Sequence, residues 1–156
     1  FPAISSISTF FAIGLFAGYM IYSLAVGSVL DYYGWSATPT IAENSLNIAS
    51  IVALLFSLMG EELIKFVPFM LFLRILYKYS NNRKLSVVVS MLIVMVFFAL
   101  LHAMDFRSLF SVLVLQGLGS IFEFIGYIKT KNIMVSYITH LCTDVFIFAL
   151  IMMGVA

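Results

Sequence analysis

Six ionisable side chains inside long apolar stretches of the sequence form three clusters, and both histidines of the chain are among them. One stretch holds Glu61, Glu62 and Lys65, a later one holds His102, and the last holds His140 and Asp144. A charge in a membrane-spanning helix costs about 2.5–3.5 kcal/mol on insertion scales, so such residues are functional candidates. Carboxylates and imidazoles together suit general acid–base chemistry, and both are also zinc ligands.

The composition predicts a membrane protein. Hydrophobic residues make up 63% of the 156 residues and charged residues only 10%, whereas a soluble domain has about 25% charged residues. The net charge of +1 and the absence of a basic run argue against nucleic acid as a partner. The chain opens on Phe1 rather than Met, so we expect residues upstream of it.

Five apolar stretches are long enough to span a bilayer, which takes about 20 residues. They are 9–30, 46–77, 85–104, 108–128 and 133–155. The predicted fold is therefore all-α, a polytopic transmembrane helix bundle of about five spans, forming a single membrane-embedded domain over 1–156.

Basic residues are distributed unevenly between the two sides of this predicted bundle. Six lie at one side, in or near the loops 78–84 and 129–132, and one lies at the other: Arg74, Lys78, Arg83, Lys84, Lys129 and Lys131 against Arg107. By the positive-inside rule, both loops face the cytoplasm of a multi-pass protein of the cell membrane.

Helical spacing places some of the six side chains on shared faces. Glu61 and Lys65 are four residues apart, as are His140 and Asp144, so each pair shares a helix face. One alternative interpretation of Glu61 and Lys65 is a neutralising ion pair with no catalytic role. Asp144 is expected to hydrogen-bond a ring nitrogen of His140 and to fix its tautomer.

Register along the predicted hairpin of spans two and three brings two candidates together. Glu61 and His102 lie about equally far from the turn near Asn81, so they are expected to face each other at one height. The same count through the later loops leaves His140 about 15 Å away, unless a helix is tilted or broken.

Two other residues have simpler interpretations. Glu123 lies near the cytoplasmic end of the fourth span, where its side chain is expected to reach the interface in a structural role. Cys142 lies on a different face from His140 and has no activating cation nearby in sequence, so we interpret it as a packing residue.

The order of these motifs resembles the CPBP (Abi) family, the CaaX proteases and bacteriocin-processing proteins of the membrane. The resemblance rests on the Glu61-Glu62 pair, on Phe98 four residues before His102, and on His140 four residues before Asp144. It implies an intramembrane protease whose catalytic residues are Glu61, with Glu62 as its companion, His102, His140 and Asp144.

The first motif departs from this pattern. The family usually has arginine where this chain has Phe66, and here Lys65 precedes that position. A Glu-Glu-x-x-Lys sequence is more similar to related proteases that cleave anti-sigma factors in the membrane.

We therefore expect an endopeptidase that cleaves a peptide or a lipidated protein tail with water activated by Glu61. The partners implied are this substrate and the lipid bilayer. A metalloprotease stays an alternative, with zinc on Glu61, His102 and His140. A metal-free mechanism is favoured because the chain lacks the His-Glu-x-x-His spacing of helical zinc sites.

Two alternatives come from other functional classes: a proton-coupled transporter or channel, and a non-catalytic bacteriocin-immunity membrane protein. A protease requires its acid and both histidines to converge on one pocket. A proton relay instead distributes such residues along the bilayer normal.

Overall fold

The computed structural model describes residues 6–35, 48–103 and 105–153. Within these ranges the protein is entirely helical, as predicted. Its α-helices are α1 (Ser6–Tyr32), α2 (Ile48–Ser80), α3 (Arg83–His102), α4 (Phe106–Val112), α5 (Ile121–Thr130) and α6 (Ile133–Met152).

Helices α2 and α3 form the predicted hairpin, with a shorter connection than the sequence indicated. α2 runs to Ser80 and α3 begins at Arg83, so Asn81 and Asn82 alone form the turn. Asn81 adopts a positive φ of 50°. Asn82 caps α3, and its side chain accepts a hydrogen bond from the backbone nitrogen of Leu85 at 3.1 Å. Pro68 lies inside α2 without ending the helix.

The fourth predicted span is interrupted rather than a single α-helix. Between α4 and α5 the chain forms a π-helical segment, Leu113–Gly117, and a 3₁₀ segment, Leu118–Ser120. The Tyr22 hydroxyl of α1 donates to the carbonyl of Val114 in the π-helical segment at 2.6 Å. A Cβ atom at Gly117 would lie 3.1 Å from the carbonyl oxygen of Met95, so glycine permits a close approach to α3 here.

The helices pack so that residues from four of them reach one region. α2 packs against α3 and α6, while α1 packs against α5 and α6. The main apolar core joins α2, α3 and α5 and consists of Phe66, Phe69, Val94, Met95 and Phe124. The charged candidates lie next to this core.

In the part of the chain that the structure describes, four helical stretches are long and apolar enough to cross a membrane: Ser8–Tyr32, Arg83–His102, Ser108–Thr130 and Ile133–Leu150. The remaining long helix, α2, has 33 residues and carries Glu61, Glu62, Lys65 and Arg74. Large apolar side chains are exposed on the outside of the bundle, for example Phe10 at 75% and Phe56 at 76%. Such a surface suits a lipid environment.

Candidate active site

Three accessible side chains form the outer side of the site. We call Glu61, His102 and Asp144 the outer group, because their side chains are 25%, 30% and 36% exposed. Glu61 Oε2 lies 3.6 Å from His102 Nε2, so the predicted contact across the α2–α3 hairpin is confirmed. Glu61 Oε2 also lies 3.8 Å from Nε2 of His140.

His102 is oriented by its own helix. Its Nδ1 atom lies 2.9 Å from the backbone oxygen of Phe98. A carbonyl oxygen only accepts hydrogen bonds, so Nδ1 carries a hydrogen and Nε2 is the atom directed at Glu61. The Phe98 ring packs on the imidazole, with 4.5 Å between ring centroids. This contact explains the Phe-x-x-x-His spacing in physical terms.

His140 joins the outer group to a buried set of charges. The count of residues left it about 15 Å from the height of Glu61 unless a helix is tilted or broken, and the two side chains are 3.8 Å apart. That count treated the fourth span as one straight α-helix, whereas the span is interrupted by π-helical and 3₁₀ segments. The broken helix that the sequence left open is therefore present.

The neighbours of His140 also differ from expectation. Nδ1 lies 2.9 Å from Oε1 of Glu62, a hydrogen-bond distance. Nε2 lies 3.7 Å from Oδ2 of Asp144, so these residues share a face as predicted but are not in hydrogen-bond contact. Glu62 is thus the residue that orients the ring, and the orienting role expected of Asp144 is not supported.

The buried set, which we call the inner group, consists of Glu62, Lys65 and Glu123. The Glu62 and Lys65 side chains are fully buried, and Lys65 Nζ is paired with both carboxylates. Ser136 of α6 donates a hydrogen bond to Oε2 of Glu62 at 2.5 Å. The ammonium also lies 4.8 Å from the centre of the Phe98 ring. Lys65 is directed towards Glu62, on the buried side of α2, so it does not form the neutralising pair with Glu61 that the sequence left as an alternative.

Glu123 was not identified as a site residue by the sequence analysis. Its expected position at the interface is wrong, since it is only 5% exposed and binds Lys65. One signal in the sequence was available: an ammonium within a span requires a nearby anion, and Glu123 is an acid inside another span.

A comparison with protein families identifies the family of the chain. The model of the Rce1-like family, described as type II CAAX prenyl endopeptidase Rce1-like, matches residues 43–146. The chain belongs to this family. No curated protein and no solved structure is similar enough to the chain to count as a match.

Membership in the Rce1-like family supports the general function predicted from the motifs, a CAAX-type intramembrane endopeptidase. Together with the four apolar helices, it identifies a multi-pass membrane protein. The matched residues include every member of both groups and His140.

The Lys65–Phe66 exchange in this Rce1-like chain is explained by the helix geometry. Consecutive residues point about 100° apart around an α-helix. Lys65 therefore faces the inner group, while Phe66 is 1% exposed and packs against Phe69 and Phe124 in the core. The cation of the site therefore belongs to Lys65, whereas the family usually has an arginine at the next position, which is Phe66 here.

The ligating side chains of the site determine whether a zinc ion would fit there. Within the described ranges, one set of three ligating side chains has all its ligand atoms within 4.8 Å of one another: Glu62, Glu123 and His140. This is not the predicted set of Glu61, His102 and His140. The Lys65 ammonium already binds both of its carboxylates, and a divalent cation beside an ammonium would be strongly repelled. The converging set therefore does not fit a metal ion.

Proposed function

We propose that this protein hydrolyses a peptide bond of a membrane-associated substrate with a water molecule that Glu61 activates. The observation that carries the proposal is the position of Glu61 Oε2, 3.6 Å from His102 Nε2 and 3.8 Å from His140 Nε2. A water held by Glu61 would be within reach of both imidazoles. The partial exposure of Glu61 gives water and substrate access to the carboxylate.

The proposed reaction proceeds in two steps. Glu61 removes a proton from water while the water oxygen forms a bond to the scissile carbonyl carbon, giving a tetrahedral oxyanion. His140 and His102 present their Nε2 atoms to this region, and each ring donates a hydrogen bond from Nε2 to the developing negative charge when both of its nitrogens carry a hydrogen. The carbon–nitrogen bond then breaks, and Glu61 returns its proton to the leaving amine.

The substrate in this proposal is a peptide or a lipidated protein tail. Membership in a family of CAAX prenyl endopeptidases supports a prenylated tail in particular. No metal takes part in the proposed mechanism: among the described residues, the ligand set that converges already holds the Lys65 ammonium between its two carboxylates.

Convergence of the charged groups supports this proposal over a proton relay. Glu61 lies less than 4 Å from an imidazole nitrogen of each histidine, although the three residues belong to three helices. A relay along the bilayer normal would distribute these groups in depth instead.

The test is cleavage of a prenylated peptide by the protein reconstituted in liposomes. Glu61→Gln keeps the size and hydrogen-bonding capacity of the side chain but cannot accept the proton of water, so we expect a loss of about 10²-fold or more. Asp31→Asn, which removes an exposed carboxylate at the end of α1, is the matched control and should cleave normally. Normal cleavage by Glu61→Gln would contradict the mechanism and favour the transporter or immunity-protein alternative.

We also propose that the basic ends of α2–α3 and α5–α6 face the cytoplasm. Cysteines introduced at Asn82 and Lys131 should then resist an impermeant thiol reagent added outside intact cells. A cysteine at Ala37, which lies outside the described residues, should react. These measurements use a Cys142→Ala background, and the reverse labelling pattern would invert the orientation.

A further inference from the structure

The Nδ1 atom of His140 has two close neighbours with opposite requirements. Glu62 Oε1 lies at 2.9 Å and Lys65 Nζ at 3.3 Å. A carboxylate only accepts hydrogen bonds and an ammonium only donates them. Nδ1 therefore either carries a hydrogen for Glu62 or accepts one from Lys65, and the two choices correspond to different tautomers of the ring.

The charge on Glu123 favours the first choice. Lys65 Nζ is paired with Glu123, so the ammonium has an acceptor other than His140. The inner group holds two carboxylates and one ammonium, which leaves one negative charge beside Nδ1 when all three are ionised. In a dry site such a charge acts with little screening, and it stabilises a hydrogen on the imidazole nitrogen directed at it.

The consequence reaches the reaction side of the ring. With a hydrogen held on Nδ1 for Glu62, Nε2 is the ring atom free to gain or lose a proton, and it is the atom nearest to Glu61. With the other tautomer, Nδ1 would accept a hydrogen bond from the Lys65 ammonium and Nε2 would carry the ring hydrogen, so Nε2 could not accept a proton on the side of Glu61.

We infer that Glu123 is a positioning residue: by binding Lys65 it keeps His140 in the Nδ1–H form that Glu62 accepts, and so keeps Nε2 directed at Glu61. The inference rests on the proposed function, because that function assigns the chemistry to Nε2.

This role of Glu123 explains why the fourth span is interrupted where it is, since α5 begins immediately after the break and carries Glu123 in its first turn. Charged and titratable groups reach this region from every helix packed against His140: Tyr19, Glu61, Glu62, Lys65, His102, Glu123 and Asp144.

The test uses the presence of only two histidines in the chain. Protein labelled with ¹⁵N-histidine gives two sets of ring resonances in lipid nanodiscs, and His102→Gln removes one set and assigns the other to His140. Long-range nitrogen–proton correlations distinguish an Nδ1–H ring from an Nε2–H ring. We expect His140 of the unaltered protein to be Nδ1–H, and Glu123→Gln to shift it to Nε2–H as Lys65 turns to Nδ1.

Two further variants make the test specific. Lys65→Met combined with Glu123→Gln removes the competing donor, so His140 should return to Nδ1–H. Ser111→Ala, which alters a buried polar residue elsewhere in the same span, should leave the tautomer unchanged. If Glu123→Gln does not fold, Glu123→Asp replaces it: the shorter side chain should release Lys65 in part and give a mixture of both tautomers.

Activity provides the second readout. Glu123→Gln should lower kcat about 10-fold or more with little change in KM, as expected for a partner that orients a catalytic group, and the double variant should recover most of the loss. An unchanged Nδ1–H ring in Glu123→Gln, or in Glu123→Asp where that variant is needed, would overturn the inference. The proposed function would survive an unchanged ring, provided that Glu61→Gln is inactive in the same assay. Normal cleavage by Glu61→Gln would instead defeat the proposed function, whatever the tautomer.

Discussion

The outer and inner groups use similar side chains in opposite ways. The outer group is partly exposed, and its Glu61 lies 3.6 Å from His102, too far for a direct hydrogen bond. The inner group is buried, and its carboxylates are in direct contact with an ammonium. A partly exposed carboxylate without a direct hydrogen bond is available to take a proton. A buried carboxylate that is paired with an ammonium instead holds its neighbours in place.

Adjacent residues of one helix supply both groups. Glu61 and Glu62 differ by about 100° in direction around α2, which is enough to place one in the accessible site and the other in the buried cluster. His140 connects the two, with Nδ1 towards Glu62 and Nε2 towards Glu61. The glutamate pair is therefore two different functional positions rather than one duplicated acid.

The largest effect on activity is expected when either histidine is replaced, His102 within the outer group or His140 next to it. His102→Ala and His140→Ala should each lower kcat/KM by about 10²-fold or more, because each removes a ring that faces the activated water. Combining either with Glu61→Gln should add little, since members of one catalytic unit are not additive. Cleavage assays on the single and double variants, with folding checked by circular dichroism, measure this. Multiplicative losses would show that the residues act separately.

The largest effect on stability is expected in the inner group. Lys65→Met leaves two buried carboxylates without their cation and should lower the free energy of unfolding by about 3–5 kcal/mol. Arg74→Met changes an exposed cation of the same helix and should cost at most about 1 kcal/mol. SDS titration in bicelles measures both variants. Equal losses would show that the inner group does not stabilise the fold.

A smaller effect on activity separates the two adjacent glutamates. Glu62→Gln keeps an oxygen that accepts the Nδ1 hydrogen of His140 but removes the charge, so we expect a loss of about 10-fold in kcat. Glu61→Gln should lose about 10²-fold or more in the same assay. If Glu62→Gln is the more damaging variant for kcat while the protein stays folded, the roles of the two groups would be reversed.

The sequence predicted the parts of this site that depend on regular helices. The Glu61–His102 contact followed from counting residues on both sides of one turn, and α2 and α3 are uninterrupted from that turn to the two residues. The shared face of His140 and Asp144 followed in the same way within α6. These contacts are local or cross a single short connection, so uniform helical geometry was sufficient.

The sequence could not predict the contacts that depend on the interrupted span. The count that gave the height of His140 took this span as one straight α-helix, whereas π-helical and 3₁₀ segments interrupt it. The Lys65–Glu123 pair joins residues 58 apart in sequence, and its formation depends on how α5 packs after the break. Spacing alone does not choose between Glu61 and Glu62 as the partner of Lys65, because positions three and four residues apart are both neighbours on a helix. Only the packing of α6 and α5 against one side of α2 decides between them.

The smallest expected effect is that of metal removal, and it tests whether the inner group needs any cation besides Lys65. The three ligating side chains that converge are Glu62, Glu123 and His140, and Lys65 already neutralises charge among them. Exhaustive chelation of the purified protein should therefore leave cleavage unchanged, and added zinc should not stimulate it.

Lys65→Ala is the informative companion variant, because it removes the ammonium and leaves the three ligands facing one another. That variant should bind zinc with its ligands at about 2.0–2.2 Å, detectable by X-ray absorption, while the unaltered protein should not. Stoichiometric zinc in the unaltered protein, with activity lost on chelation and restored by the metal, would instead make a metal part of the site.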